Sequence, residues 1–357
     1  MDRVPNFADS QRVYPRRVVQ WATGNIGTRS LRTVIEHPYL ELVGVFVHST
    51  TKAGRDAGEL CGLPPVGVQA TRQLEAILET RPDCVLYMQQ GVDVDALCKL
   101  LESGCNVVTT CTNFHNPAFM ETGLRQRIEQ ACQQGGASLH STGSSPGFIT
   151  EALPLVLMSL QRKLNCVHIH EYADVSSRDS PQLLFDIMGF NQDPRQVNAE
   201  GRVQHLRQSF GPSLALLANA LGIPLDGLQA HGEVALARSD VAIAAGRVEA
   251  GKVAAQRTTV AGIRDGKPVC TFTANWFVSR DLQEAWQLNA TGWKVRVDGD
   301  VPLEVDIGFP VPQERWAAVS PGITAHRAVN AVPYVCDAPA GIRTSVELPQ
   351  IIADLRT

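Results

Sequence analysis

Arg17-Val18-Val19-Gln20-Trp21-Ala22 runs directly into Thr23-Gly24-Asn25-Ile26-Gly27, and an amphipathic pattern follows over residues 28–36. The order is that of a strand, a tight turn and a helix N-terminus. Glycine at 24 lets the backbone approach an anion without a Cβ, glycine at 27 lets helix pack close on strand, and the first-turn N–H groups supply an anion site. Such a unit takes a dinucleotide pyrophosphate, with contacts expected from Thr23, Gly24, Asn25, Ile26 and Gly27. Ala22 stands where a G-x-G-x-x-G fingerprint has its first glycine. Glycine pairs at strand ends also serve as plain turns, so the reading depends on the rest of the chain.

The same rhythm continues. Apolar runs at 42–47, 84–88, 106–110 and 137–141 alternate with helical patterns at 71–79, 94–103 and from Pro117 to Gly135-Gly136. Short apolar strands between amphipathic helices, with glycine at helix ends, predict an α/β fold: a Rossmann doubly wound parallel sheet over residues 15–147. From Phe148 the pattern changes. A helix through Leu160, a strand at 166–172 and helical stretches at 181–188 and 202–221 lead into alternating segments at 230–238, 246–263, 269–278 and 293–297. These predict a C-terminal α+β domain of mainly antiparallel sheet over 148–322. A last helix at 324–331 and a Pro-rich tail, residues 323–357, are expected to pack back on the first domain.

Composition narrows the function. The chain has 357 residues, 44% hydrophobic and 19% charged, with a net charge of -4 and scattered Lys and Arg, which argues against a nucleic-acid partner. Nine dispersed cysteines without a C-x-x-C pair read as reduced core thiols. No signal-like segment or membrane-spanning run is evident, so a cytoplasmic protein without a membrane partner is the expectation. No G-x-S-x-G elbow, H-E-x-x-H helix or phosphate loop of the G-x-x-x-x-G-K-S type anchors a hydrolase or kinase reading.

In an open parallel sheet the ligand lies beyond the carboxyl ends of the strands, so the loops there carry the function. The loop after the second strand, His48-Ser49-Thr50-Thr51-Lys52-Ala53-Gly54-Arg55, lacks a carboxylate for a ribose 2′-hydroxyl. Ser49, Thr50, Lys52 and Arg55 stand there instead, as a 2′-phosphate requires, which favours NADP(H) over NAD(H). Asp56 and Glu59 are near enough in sequence to serve a free ribose. Gln89-Gln90-Gly91 and Cys111-Thr112-Asn113 should border the nicotinamide, as should Ser145 and Pro146 in the turn after the sixth strand. His115 is a histidine in a predicted site loop and a candidate proton donor. His168 and His170 share one strand face beside Glu171 and Asp174, but no third ligand at a characteristic spacing follows, so no metal site is expected.

These residues resemble the dihydrodipicolinate reductase-like dehydrogenases, a group that includes 2,4-diaminopentanoate dehydrogenase and the native amine dehydrogenases. The likeness spans nearly the whole chain. It rests on Trp21 through Gly27, on Thr142-Gly143-Ser144-Ser145-Pro146-Gly147-Phe148 with Leu153-Pro154-Leu155, and on Met188-Gly189-Phe190 with Asp193-Pro194. It continues through Gly292-Trp293, Asp298-Gly299-Asp300, Val329-Asn330-Ala331-Val332-Pro333 and Ala338-Pro339-Ala340-Gly341-Ile342. The resemblance implies a Rossmann domain, a substrate domain that also carries a homodimer interface, and reversible reductive amination of ketones with NAD(P)H. It also implies an acidic pair in the loop after the fifth strand, whose glutamate handles ammonia's proton. Here Thr112-Asn113 occupies that place, and asparagine takes no proton at neutral pH. The His-His-x-x-Lys run of true dihydrodipicolinate reductases is absent from 170–181, and the asparagine of the family's N-P-G turn is Ser145.

The expectation is therefore an NAD(P)H-dependent oxidoreductase moving hydride to or from a small carbonyl, imine or amine carbon. His115, Tyr172 and Glu171 are the candidates for the proton. Two alternatives stand beside it: an amine dehydrogenase using another carboxylate, Glu171 or Asp174, and a nucleotide sensor that has lost its chemistry.

Overall fold

The computed structural model describes residues 15–196 and 199–355. Its contacts divide the chain into two units, Met1–Gly143 with Pro321–Thr357, and Ser144–Ser320. No helix among the described residues is long and apolar enough to cross a membrane.

The first unit is built from β1 (Arg16–Trp21), α1 (Asn25–Glu36), β2 (Leu40–Phe46), α2 (Ala57–Leu60), β3 (Ala70–Thr71) and α3 (Leu74–Glu79), followed by β4 (Cys84–Tyr87), α4 (Val94–Glu102), β5 (Asn106–Thr109), α5 (Thr122–Gly135) and β6 (Ser138–Ser141). All strand pairs are parallel, in the order β6-β5-β4-β1-β2-β3, and a seventh strand, Gly341–Arg343, pairs with β6. The chain proceeds from β1 to β2 and β3 on one side and resumes with β4 on the other, so strand order reverses at β1. That reversal opens a crevice at the carboxyl ends of β1 and β4.

Both faces of the sheet are covered, which explains why its strands are apolar without alternation. Trp21, Val85 and Val107 pack with Leu97, Leu100 and Leu101 of α4, whereas Val18, Leu86 and Val108 pack with Ala328, Val329, Val332 and Val335 near the C-terminus. Helix α5 starts where the Glu121 carboxylate accepts from the N–H groups of Gly123 and Leu124. It stops at Gly136, whose φ of 65° suits a residue without a Cβ. Among the described residues all nine cysteines are unbridged.

In the second unit, α6 (Leu153–Met158) precedes β7 (Leu164–Asp174), and α7 (Ala199–Ala220) is followed by β8 (Gly227–Leu236), β9 (Val241–Ile243), β10 (Gly246–Val248), β11 (Val253–Arg264), β12 (Lys267–Phe277), β13 (Gly292–Gly299) and β14 (Leu303–Gly308). Six strands form one sheet in the order β14-β13-β7-β12-β11-β8. Phe210 of α7 stacks on Phe272 of β12, with ring centroids 3.9 Å apart, and thereby seats the helix on the sheet. The expected antiparallel character holds for every pair but one: β7 and β12 run parallel, so the sheet is mixed.

Several boundaries also differ from the sequence reading. The segment 246–263 is two strands, because Gly251, with φ 79°, lies in the turn between β10 and β11. The stretch 71–79 begins as the end of β3 and becomes helical only at Leu74. The last helix runs from Gln313 to Cys336, well beyond 324–331.

Candidate active site

A cavity of about 820 Å³ opens at the carboxyl ends of β1, β2, β4 and β5. Thr23, Gly24, Asn25 and Ile26 form one wall. Gly24 precedes α1 without any side-chain cap, and a Cβ built there meets nothing within 4 Å, so the first-turn N–H groups face open space. Those uncapped donors fit a phosphate. Gly27 lies off the cavity wall and serves packing: a Cβ there would fall on the Ala22 carbonyl. Ala22 takes the conformation of the absent first glycine, with φ 67°, and the Gln20 side-chain amide donates to its carbonyl at 2.9 Å. A buried side chain thus helps to hold a backbone shape that costs an alanine roughly 1 kcal/mol.

The loop after β2 contributes His48, Ser49 and Lys52 to the cavity, while Thr50 and Arg55 lie off its wall. Lys52 Nζ donates to the Thr23 carbonyl at 2.7 Å. Arg55 lies 3.8 Å from Glu59. Asp56 accepts from the N–H groups of Val66, Gly58 and Gly67, which hold its carboxyl below the usual range. Neither Asp56 nor Glu59 lines the cavity.

Gln89, Gln90 and Gly91 form the wall beyond β4. Gln89 Oε1 accepts from Trp21 Nε1 at 2.7 Å and lies 2.8 Å from His48 Nε2, so the histidine carries its proton on that nitrogen. Beneath them Trp21 stacks on Phe46, centroids 3.7 Å apart, and on Tyr87 at 5.6 Å. His48 escaped the sequence reading, which weighted the hydroxyls and cations of its loop; its place directly after an apolar strand was the available signal. Cys111, Thr112 and Asn113 complete the wall, and burial pushes the Cys111 thiol up. No residue lining this cavity is an aspartate or glutamate.

His115 is not on the wall. It is 3% exposed, and burial, with His140 nearby, pushes its pKa down to about 3, so the ring is neutral through the physiological range. Ser145 and Pro146 belong to the second unit, in a turn where the Gly147 N–H donates to Thr150 Oγ1 at 2.9 Å.

Glu171 and Tyr172 sit on opposite faces of β7. Glu171 borders a second cavity, of about 370 Å³, within the second unit. Its two oxygens accept from Trp276 Nε1 at 3.1 Å and Trp293 Nε1 at 3.0 Å. Burial raises the Tyr172 phenol. Among the described residues no group of three or more His, Cys, Asp or Glu side chains is arranged to hold a metal ion.

A parallel sheet with an uncapped glycine turn, followed by an α+β unit, is the plan of a two-domain dehydrogenase. Residues 17–135 match the sequence model of the dihydrodipicolinate reductase N-terminus, and residues 191–356 match that of the 2,4-diaminopentanoate dehydrogenase C-terminal domain. An amine dehydrogenase of Streptomyces virginiae is 29% identical over 345 residues, covering 93% of this chain and 95% of the relative. A 4-hydroxy-tetrahydrodipicolinate reductase of a Synechocystis strain is 30% identical over 236 residues, covering 61% of this chain and 80% of the relative. The solved amine dehydrogenase of Mycobacterium smegmatis has the same fold, with a TM-score of 0.75 at 20% identity over 95% of this chain and 97% of that one. The chain belongs to the dihydrodipicolinate reductase-like dehydrogenase family.

Proposed function

We propose that the protein is an NAD(P)H-dependent oxidoreductase acting on a small carbonyl, imine or amine carbon. The observation that carries this reading is the cavity at the β1–β4 reversal, with its uncapped α1 N-terminus and the open space at Gly24. A bound nicotinamide coenzyme supplies or accepts the hydride. The chain's own residues then have three tasks: Thr23 to Ile26 hold the pyrophosphate, the Cys111–Asn113 loop borders the ring, and the apolar floor of Trp21, Phe46 and Tyr87 fixes the wall.

NADP(H) is the preferred coenzyme in this reading. Ser49 offers a hydroxyl beside the β2 terminus, and the nearby carboxylates of Asp56 and Glu59 are engaged elsewhere. Lys52, tied to Thr23, supports the turn and adds positive charge. The wall carries no carboxylate to handle ammonia's proton, and His115 is buried and neutral. Glu171 is the candidate for the proton. The amine dehydrogenase relative, similar over 93% of this chain, favours a second reading, reductive amination with Glu171 as the ammonia-handling group. A homodimer is the assembly we expect on the family resemblance, and sedimentation equilibrium measures it.

Calorimetric titration with NADPH and NADH tests the coenzyme. Micromolar binding with NADPH tighter is expected, and binding of neither removes the proposal. NADPH oxidation with a ketone panel, with and without ammonia, separates the two chemistries. Tight coenzyme binding with no turnover on any carbonyl or imine leaves a nucleotide sensor.

A further inference from the structure

We propose that Gln20 is a positioning residue for the coenzyme: its buried amide, acting on Ala22, does the work of the first glycine that the turn after β1 lacks. The inference rests on the oxidoreductase reading only in calling the bound anion a coenzyme; the coupling of Gln20 to Ala22 is a property of the fold alone.

Gln20 is fully buried in β1, between Val19 and Trp21 and opposite Leu86 of β4. Its Nε2 lies 2.9 Å from the Ala22 carbonyl oxygen, 3.3 Å from that of Trp21 and 3.5 Å from that of Leu86. Three acceptors around one nitrogen fix which end of the amide is which, and its two N–H groups serve the turn and the β1–β4 seam together. Oε1 accepts no hydrogen bond. A buried amide oxygen without a donor is a cost that an apolar side chain of the same size avoids, so the donor end carries the reason for an amide here.

The carbonyl that takes the shortest of these bonds belongs to the residue under strain. Ala22 has φ 67°, a conformation that glycine adopts freely and alanine does not. Its N–H is tied to the Phe46 carbonyl at 2.8 Å. Thr23 is held separately, its carbonyl accepting from Lys52 Nζ at 2.7 Å and from Thr28 Oγ1 at 3.2 Å. Among the described residues Gln20 supplies the only hydrogen bond to the Ala22 carbonyl. Gly27 admits both groups, since a Cβ on it would lie 2.2 Å from the Ala22 oxygen and 3.1 Å from Gln20 Nε2. The amide thus locks the peptide between Ala22 and Thr23, directly ahead of Gly24 and the uncapped N–H groups of α1. Without the lock an alanine relaxes toward negative φ, and rotation at position 22 turns the glycine turn away from the anion it is to hold. A glycine at that position needs no lock.

The test is a four-member cycle on the full chain: the unmodified protein, Gln20→Met, which keeps the volume and removes the amide, Ala22→Gly, and the two changes together. Calorimetry with NADPH and with NADH and urea unfolding read each member, and circular dichroism confirms that each is folded. Gln20→Met should weaken both coenzymes by the same factor, about fivefold or more, because the pyrophosphate is common to them. Adding Ala22→Gly should bring both back to within about threefold of the unmodified protein, a rescue that a general loss of packing does not give. The urea midpoint should rise more on Ala22→Gly in the Gln20→Met background than in the unmodified one. Unaltered affinity in Gln20→Met, a loss confined to one coenzyme, a loss that Ala22→Gly leaves unrepaired, or equal midpoint shifts in the two backgrounds overturns the proposal. If Gln20→Met alone does not fold, the double variant should, and its failure to fold overturns the proposal as well. An unmodified protein that binds neither coenzyme removes the oxidoreductase reading, and the midpoint cycle then decides by itself whether Gln20 holds the turn.

Discussion

Lys52 is tied to Thr23. Its Nζ donates to the Thr23 carbonyl at 2.7 Å and to the Thr23 hydroxyl at 3.2 Å, joining the loop after β2 to the glycine turn after β1. A cation in that loop would ordinarily be assigned to a 2′-phosphate. Here it fixes the turn to which we assign the coenzyme's pyrophosphate.

Lys52→Met should therefore weaken NADPH and NADH alike, by roughly tenfold, the scale of one charged hydrogen bond at about 1.4 kcal/mol. Calorimetry on both coenzymes reads it. A loss confined to NADPH would show that the ammonium meets the 2′-phosphate itself.

Ser49 is the position at which preference should reverse. Ser49→Asp sets a carboxylate against the 2′-phosphate and offers the free ribose an acceptor, so the dissociation constant for NADPH should rise at least tenfold, about 1.4 kcal/mol, while that for NADH holds or falls. Equal changes for the two would place the adenosine ribose away from this loop.

Gly27 permits α1 to lie against the Ala22 carbonyl. Gly27→Ala should force the helix away, costing about 1–3 kcal/mol of stability, the usual scale of overpacking. It should also weaken coenzyme binding, since the N-terminus moves with the helix. Urea unfolding and calorimetry check both; unchanged stability would mean that the turn relaxes freely.

The buried histidines give a pH dependence of definite sign. His115 and His140 have pKa values pushed down to about 3 and about 4 by burial, against an ordinary 6.5. His140 presents Nδ1 to the Arg343 carbonyl at 2.7 Å. The unfolded chain binds these protons and the folded chain does not, so their contribution to stability is complete above pH 6.5 and is lost as the pH falls toward 4. By pH 5 each should cost about 2 kcal/mol. His115→Asn should shrink the difference in unfolding free energy between pH 7.5 and pH 5.0 by about that amount. A variant that keeps the full difference would show that His115 is protonated in the native state.

The contrast between these residues marks how far the sequence could be read. The path from Val18 to Gly27 was legible because period, glycine position and strand order all act locally. His115 was read as a site residue from the polar composition of its loop, whereas its burial, with His140 nearby though 25 positions away in sequence, is set by tertiary packing. The parallel pairing of β7 with β12 left no mark in alternation, which records the face of a residue and not its neighbour's direction. Pro321 and Pro333 made the last helix look short, yet Ala325, Ala328, Val329 and Val332 are buried on one side of it, and that burial outweighs the lost backbone bonds. In the second unit Arg178 and Arg202, which both line the cavity, are 24 positions apart in sequence, so nothing local brings them together.

Trp21 also makes the first cavity observable. Its indole is held between Phe46 and the Tyr87 side, with Nε1 fixed on Gln89 at the cavity wall. A rigid indole emits where a dihydronicotinamide absorbs. The stacked floor is thus a donor in resonance energy transfer, and the arrival of the reduced coenzyme should quench ultraviolet emission while exciting blue fluorescence, an optical signature that Trp21→Phe would diminish.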